Sequence, residues 1–207
     1  MFETGRLGPL EWAVAGRPLA GESVSGDGWL VIESADQALI GAIDGLGHGE
    51  AAAVATQLAT KVVSENPGAP LDELFTLCHH ALEGTRGSAM TLVRIGLSDG
   101  PLSWLGIGNV AAYLVRVSTT ESVIAEAAML RGGIIGQQLP SPLRVRDTDM
   151  LPGDLLLLGT DGLASGFAEG ADLSMPTGQL VTEILENCSK GNDDALILAV
   201  RNRGPSR

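Results

Sequence analysis

Ile40 to Gly49 reads Ile-Gly-Ala-Ile-Asp-Gly-Leu-Gly-His-Gly, and no other stretch restricts the possible folds so sharply. A short apolar run stops at Asp44, and glycines follow at 45, 47 and 49. The run predicts a buried strand, and the glycines a turn where the backbone passes close to a neighbour. An Ala-rich helical pattern begins at Glu50. A carboxylate thus sits at a strand end, on a bend, facing a helix N-terminus, where a metal ion and a phosphate can be held side by side. Alone, an Asp-Gly at a strand end is an ordinary turn; its weight comes from the rest of the chain.

The 28 glycines imply many tight turns, and at 3% aromatics the core has to be built from Leu, Val, Ile and Ala. With 207 residues, 44% of them hydrophobic, one sizeable core is within reach, and a single domain over 1–207 is expected. A net charge of −12 argues against nucleic acid or an anionic membrane as partner. Cys78 and Cys188 lie far apart and suggest small core residues in a reducing compartment, not a zinc site or a disulfide framework. The N-terminus lacks an apolar signal segment, and no run approaches ~20 apolar residues, so a cytoplasmic protein without a membrane span is expected.

In chain order, Leu10 to Leu19 predicts a first strand, followed by a polar Gly-rich loop from Gly21 to Gly28. Strands at Trp29 to Glu33 and Gln37 to Asp44 flank a turn at Ala35-Asp36. Glu50 to Ser64 has helical spacing, with Ala51, Val54, Ala55, Leu58 and Val62 as its apolar stripe, widened by Ala59 and Val63. A second helix from Pro70 carries Leu71, Leu74, Phe75, Cys78, Ala81 and Leu82, and the adjacent His79 and His80 suit a solvated face. From Gly87 the period becomes two. Strands are expected at Ala89 to Leu97, Leu102 to Ile107, Ala111 to Val117, Val123 to Met129, Val145 to Met150, Leu155 to Leu158 and Ala195 to Val200. Turns fall at Ser98-Asp99-Gly100, at Ser118 to Glu121 and at Leu151 to Asp154. Leu163 to Pro176 suits a loop or short helix, Gly178 to Cys188 a helix, and Asn202 to Arg207 a polar tail.

Four acidic spots share one local pattern. Asp27 lies in Gly-Asp-Gly just before a strand, Asp44 and Asp161 in Asp-Gly at strand ends, and Asp193-Asp194 just before the last strand. A rigid sheet fixes each of them. If those strands are neighbours, the carboxylates meet at one edge, where they must take up protons or be neutralised by cations. Oxygen donors without Cys or paired His favour Mg²⁺ or Mn²⁺ over zinc. Two such ions ~3.5–4 Å apart can clamp a phosphate and activate a water. The plainer alternative, four Asp-rich turns without chemistry, stays open at this point.

Gly26-Asp27, Asp44-Gly45-Leu46-Gly47-His48-Gly49, Gly108-Asn109, Thr160-Asp161-Gly162 and Asp193-Asp194 occur in an order that resembles the metal-dependent serine/threonine phosphatases of the protein phosphatase 2C (PPM) type. The resemblance covers nearly the whole chain and is nearest to their small bacterial SpoIIE/RsbU-like branch, in particular its free-standing stressosome phosphatases. It implies an α+β fold, an αββα sandwich of two central antiparallel β-sheets flanked by helix pairs. It also implies hydrolysis of phosphoserine or phosphothreonine by a metal-activated water, with two divalent ions, Mn²⁺ or Mg²⁺, as cofactors. Asp44, Asp161 and Asp193 would carry the catalytic role. Asp27, Asp44, Gly45 through its carbonyl, Asp161 and Asp193 would be the metal ligands. Asp194, Asn109, Thr160 and His48 would stand behind them. Larger relatives have a His directly after the Asp-Gly, where this chain has Leu46, and hold the phosphate with an Arg near the N-terminus; Arg17 precedes the first loop here. The implied partners are phosphorylated STAS-domain proteins (RsbR/RsbS-like) of a bacterial stressosome. Two rival classes remain: an inactive binding module with this fold, and a two-metal hydrolase of small phosphoesters. The intact Asp set speaks against the first, and the lack of a nucleotide-binding Gly-rich loop against the second.

Overall fold

The structure, a computed structural model, describes residues 1–98, 101–118, 121–169 and 171–204. The turns expected at 99–100 and 119–120, and the tail at 205–207, lie outside the described residues. Two six-stranded sheets are stacked face to face. In sheet one the order is β1 (Phe2–Leu7), β2 (Leu10–Arg17), β12 (Ala195–Asn202), β11 (Leu155–Gly159), β7 (Ala111–Ser118) and β8 (Glu121–Ala127). In sheet two it is β10 (Arg146–Thr148), β6 (Leu102–Ile107), β5 (Ser88–Gly96), β4 (Gln37–Gly45) and β3 (Asp27–Ser34), with β9 (Leu130–Arg131) also pairing β6. Every pairing is antiparallel except β6 with β9. Helices α1 (Glu50–Glu65) and α2 (Leu71–Ala81) cover sheet two, and α3 (Thr177–Cys188) covers sheet one.

The continuous apolar runs arise because the central strands are buried on both faces. In β4, Ala38, Ile40 and Ala42 enter the layer between the sheets, while Leu39 and Ile43 pack under α1 and α2. In β12, Leu196, Leu198 and Val200 face the other sheet, while Ala195, Ile197 and Ala199 meet Leu180, Val181 and Ile184 of α3. Trp12 of β2 and Trp29 of β3 meet across the sandwich with ring centroids 5.2 Å apart, a tilted pair adding ~1 kcal/mol to the area they bury. No helix among the described residues is long and apolar enough to cross a membrane.

The structure corrects several expectations. A strand, β1, precedes the first one expected; its exposed edge position leaves little apolar signal in Phe-Glu-Thr-Gly-Arg-Leu. The next strand stops at Arg17, short of Leu19, and the last continues to Asn202, the residue expected to open the tail. On α1 the buried face is Ala52, Ala53, Ala55, Thr56, Ala59 and Val63, whereas Ala51 and Val54 are exposed. Small side chains win that face because the helix lies almost on the strands below it. Ala81, expected in the α2 stripe, is exposed. His79 is less solvated than expected, since its Nδ1 accepts the Gly136 N–H at 3.0 Å. Over sheet one the outer layer is α3 with a turn-rich segment that adds Leu163, Phe167 and Ala168 to the core, in place of a helix pair.

Gly45 shows how closely α1 approaches. A Cβ at this position would run into the Ala52 carbonyl and lie 2.8 Å from Thr56 Oγ1. The obstruction is helix backbone, so relief requires α1 to lift. Gly45→Ala is expected to lower the melting temperature by roughly 5 °C, the overpacking cost of ~2 kcal/mol for a chain of this size, as a calorimetric scan would measure.

Candidate metal centre

Asp27 opens β3 and Asp44 stands near the end of β4, and the antiparallel register places their Cα positions opposite each other. Opposed residues in such a ladder lie ~4.5–5.5 Å apart, so two carboxylates are held side by side by backbone alone. Both are buried, at 8% and 9% exposure. Asp161 follows β11, and Asp193 and Asp194 precede β12, so these three come from sheet one. The acidic end of the sandwich therefore draws on both sheets.

Side-chain hydrogen bonds join the two sheets here. Thr160 Oγ1 donates to Asp27 Oδ2 at 2.7 Å and accepts the Leu196 N–H at 2.9 Å. Asn109, in the turn before β7, donates from Nδ2 to Asp161 Oδ2 at 2.6 Å. Asp194 is buried and accepts two backbone N–H groups, Leu19 to Oδ1 at 2.7 Å and Gly26 to Oδ2 at 2.6 Å. It fastens the Gly-rich loop leading to Asp27, and Thr56 Oγ1 of α1 grips the same loop through the Gly26 carbonyl. Asp194→Ala would leave those N–H groups without their acceptor. It is expected to cost ~2–3 kcal/mol of stability, visible as a lower urea midpoint with an unchanged slope.

The electrostatics mark the site as strained by like charge. Burial, then the charges of Asp161 and Asp193, raise the Asp44 carboxyl to about 7; the Asn109 amide pulls the other way, and Asp194 adds a smaller upward push. Burial, then the charge of Asp44, hold Asp27 well above its ordinary value against the opposing Thr160 hydrogen bond. None of the ion pairs among the described residues involves Asp27, Asp44, Asp161, Asp193 or Asp194. Lys190 reaches Asp161, but its Nζ donates to the backbone carbonyl, not the carboxylate, at 2.6 Å.

Among the described residues no three acidic, His or Cys side chains stand at coordinating distances from one common point. As a donor set the acids nonetheless fit hard divalent cations: oxygen ligands only, with Asp27, Asp44 and Asp194 buried, Asp161 and Asp193 half-buried, and no ion pair to any of them among the described residues. His48 stands apart from them. It is exposed, and its Nδ1 lies 2.6 Å from Glu22 Oε1. Sequence reasoning missed the partners Glu22, Thr56 and Lys190, because single polar residues carry no sign of the distant element they will meet.

This architecture is shared with known phosphatases. A chain solved in work on "The bacterial stressosome: a modular system that has been adapted to control secondary messenger signaling" is similar at a TM-score of 0.83 and 28% identity, over 93% of this chain and 99% of that one. RsbX in complex with magnesium gives a TM-score of 0.83 at 17% identity, over 97% of this chain and 98% of its own. The catalytic domain of the serine/threonine protein phosphatase PstP, in complex with 2 manganese ions, gives 0.60 at 18% identity, over 93% and 97%. No curated protein sequence matches this one. The fold is that of the PP2C-type phosphatases. The model of the SpoIIE family (Stage II sporulation protein E) matches residues 34–203, and the chain belongs to that family.

Proposed function

We propose that this chain is a metal-dependent protein serine/threonine phosphatase. The observation that carries the reading is the meeting of acidic side chains from both sheets: Asp27 stands opposite Asp44 in the β3–β4 ladder, and burial, then the charges of Asp161 and Asp193 from the other sheet, raise Asp44 to about 7. A protein with no cation to bind has no use for such a cluster. Asp27, Asp44, Asp161, Asp193 and the Gly45 carbonyl are assigned as ligands of two divalent ions, Mn²⁺ or Mg²⁺. When bound, the ions supply an activated water and positive charge for in-line displacement at phosphorus. The protein groups around them hold the ligands in place. Thr160 fixes the Asp27 carboxylate, Asn109 the Asp161 carboxylate, and Asp194 the Gly-rich loop that leads to Asp27. The exposed His48 is paired with Glu22 and is given no step; proton supply to the leaving alkoxide is assigned to solvent.

The proposed substrates are phosphorylated STAS-domain proteins (RsbR/RsbS-like) in a cytoplasmic bacterial stress-signalling pathway, with residues 1–207 acting as one catalytic domain. Likeness to RsbX and to a chain from stressosome work supports that choice. The test is phosphate release from a phosphoserine protein on addition of Mn²⁺, set against Asp44→Asn. A parent without turnover would point to a binding module, and turnover of nucleotides alone to a small-phosphoester hydrolase.

A further inference from the structure

A phosphorylated substrate brings negative charge to a protein whose own net charge is −12, and it must approach a cluster of acids. Coulomb repulsion opposes that approach unless a local cation offsets it. The acidic end of the sandwich offers few such cations. Lys190 is committed to the Asp161 carbonyl. Arg17 ends β2 opposite Ala195.

Arg86 is placed differently. The β4–β5 ladder pairs Asp44 with Ala89 and Gly45 with Ser88, and beyond it the Leu46 N–H donates to the Gly87 carbonyl at 3.0 Å. The same register carried two residues past the last pair sets Arg86 opposite Gly47. The side chain follows suit: a Cβ at Gly47 would lie 2.8 Å from Arg86 Nη1, so the guanidinium lies over the bare backbone of the Asp44 turn. Gly47 has φ +84°, which independently favours glycine there. Arg86 is exposed and enters no ion pair among the described residues.

Its backbone, by contrast, is held firmly. Gln137 Nε2 donates to the Arg86 carbonyl at 2.6 Å, and the Gly87 N–H donates to Thr85 Oγ1 at 3.0 Å. Thr85 in turn donates to the Leu82 carbonyl at 2.7 Å. A planar guanidinium on a fixed backbone, three residues from Asp44 along the loop it covers and free of a carboxylate, is built to take two phosphoryl oxygens.

We infer that Arg86 is the side chain that grips the phosphoryl group of the substrate beside the acidic cluster. The assignment rests on the phosphatase reading above, and the experiment separates the two. Inorganic phosphate is titrated calorimetrically into the Mn²⁺-loaded protein, wild type and Arg86→Ala, Arg86→Lys, Arg17→Ala and Arg6→Ala; turnover of a phosphoserine protein is measured in parallel. Arg86→Ala is expected to weaken phosphate binding about tenfold. It should raise KM by a similar factor while leaving kcat and the Mn²⁺ requirement nearly unchanged. Arg86→Lys should fall between it and wild type. Arg6→Ala, an equal charge change on the exposed edge strand, should change neither. Wild-type phosphate affinity in Arg86→Ala, no phosphate binding by wild type, or a loss that follows Arg17 instead would each overturn the inference. Arg86-dependent phosphate binding without turnover would sustain it and overturn the phosphatase reading alone.

Discussion

Asp44→Asn is expected to make the metal-free protein more stable and, in the same stroke, to cut Mn²⁺-dependent phosphate release by ~10³-fold or more. The two effects share a cause. The Asp44 carboxyl is buried beside Asp161 and Asp193 and is raised from 3.8 to about 7. At pH 8 it is ionised at an energetic cost whose upper bound is about 4 kcal/mol, the free-energy equivalent of that shift. Asparagine keeps the shape, removes the charge and offers an amide to the neighbouring carboxylates. A melting scan in EDTA at pH 8 should therefore show a rise of several degrees. The opposite signs matter, because a variant that simply misfolded would lose both stability and turnover. A less stable Asp44→Asn would mean that the carboxylate is satisfied in the fold, and the argument for cation binding would fail with it.

The second large effect is in the pH dependence of the metal-free protein. Below the unfolded value near 3.8 the Asp44 carboxyl is protonated in both states and contributes no difference. Between that value and about 7 the folded state binds the additional proton. Stability therefore falls as pH rises through this window, and the penalty is complete above it. Asp27 is shifted in the same direction. The melting temperature in EDTA should drop between pH 5 and pH 8. Mn²⁺ should restore it, most strongly at the alkaline end, because metal and protons compete for the same oxygens. Glu11 does not blur the reading. It is held down to about 2, chiefly by its hydrogen bond with Arg203, so its contribution is lost only below its unfolded value near 4.5. A melting temperature that stays flat from pH 5 to pH 8 in EDTA would show that the acids do not repel one another as described.

Much of this was legible in the chain because it rests on local rules. Leu155 to Leu158 and Ala195 to Val200 announce strands buried on both sides, and the glycines around Asp27 and Asp44 announce turns at strand ends. What stayed hidden depends on partners far apart in sequence. Nothing in Phe2 to Leu7 signals a strand, since its support is the neighbouring β2 and not its own side chains. The spacing of α1 points inward at Ala51 and Val54, yet the buried face is set by bare glycine backbone beneath the helix, which no periodicity of the helix itself encodes. The motif resemblance places Thr160 behind the metal ligands, but not its partners: its hydroxyl connects Asp27 of one sheet to Leu196 of the other.

The position of β12 has a consequence for how the protein comes into being. It lies between β2 and β11, and Asp193 and Asp194 immediately precede it. A ribosome therefore releases the other described strands of both sheets before the centre of sheet one can be filled. Until then the Gly-rich loop lacks its anchor and the acidic cluster lacks two members. Activity should consequently appear abruptly once β12 is in place, with no working fragment that stops short of it.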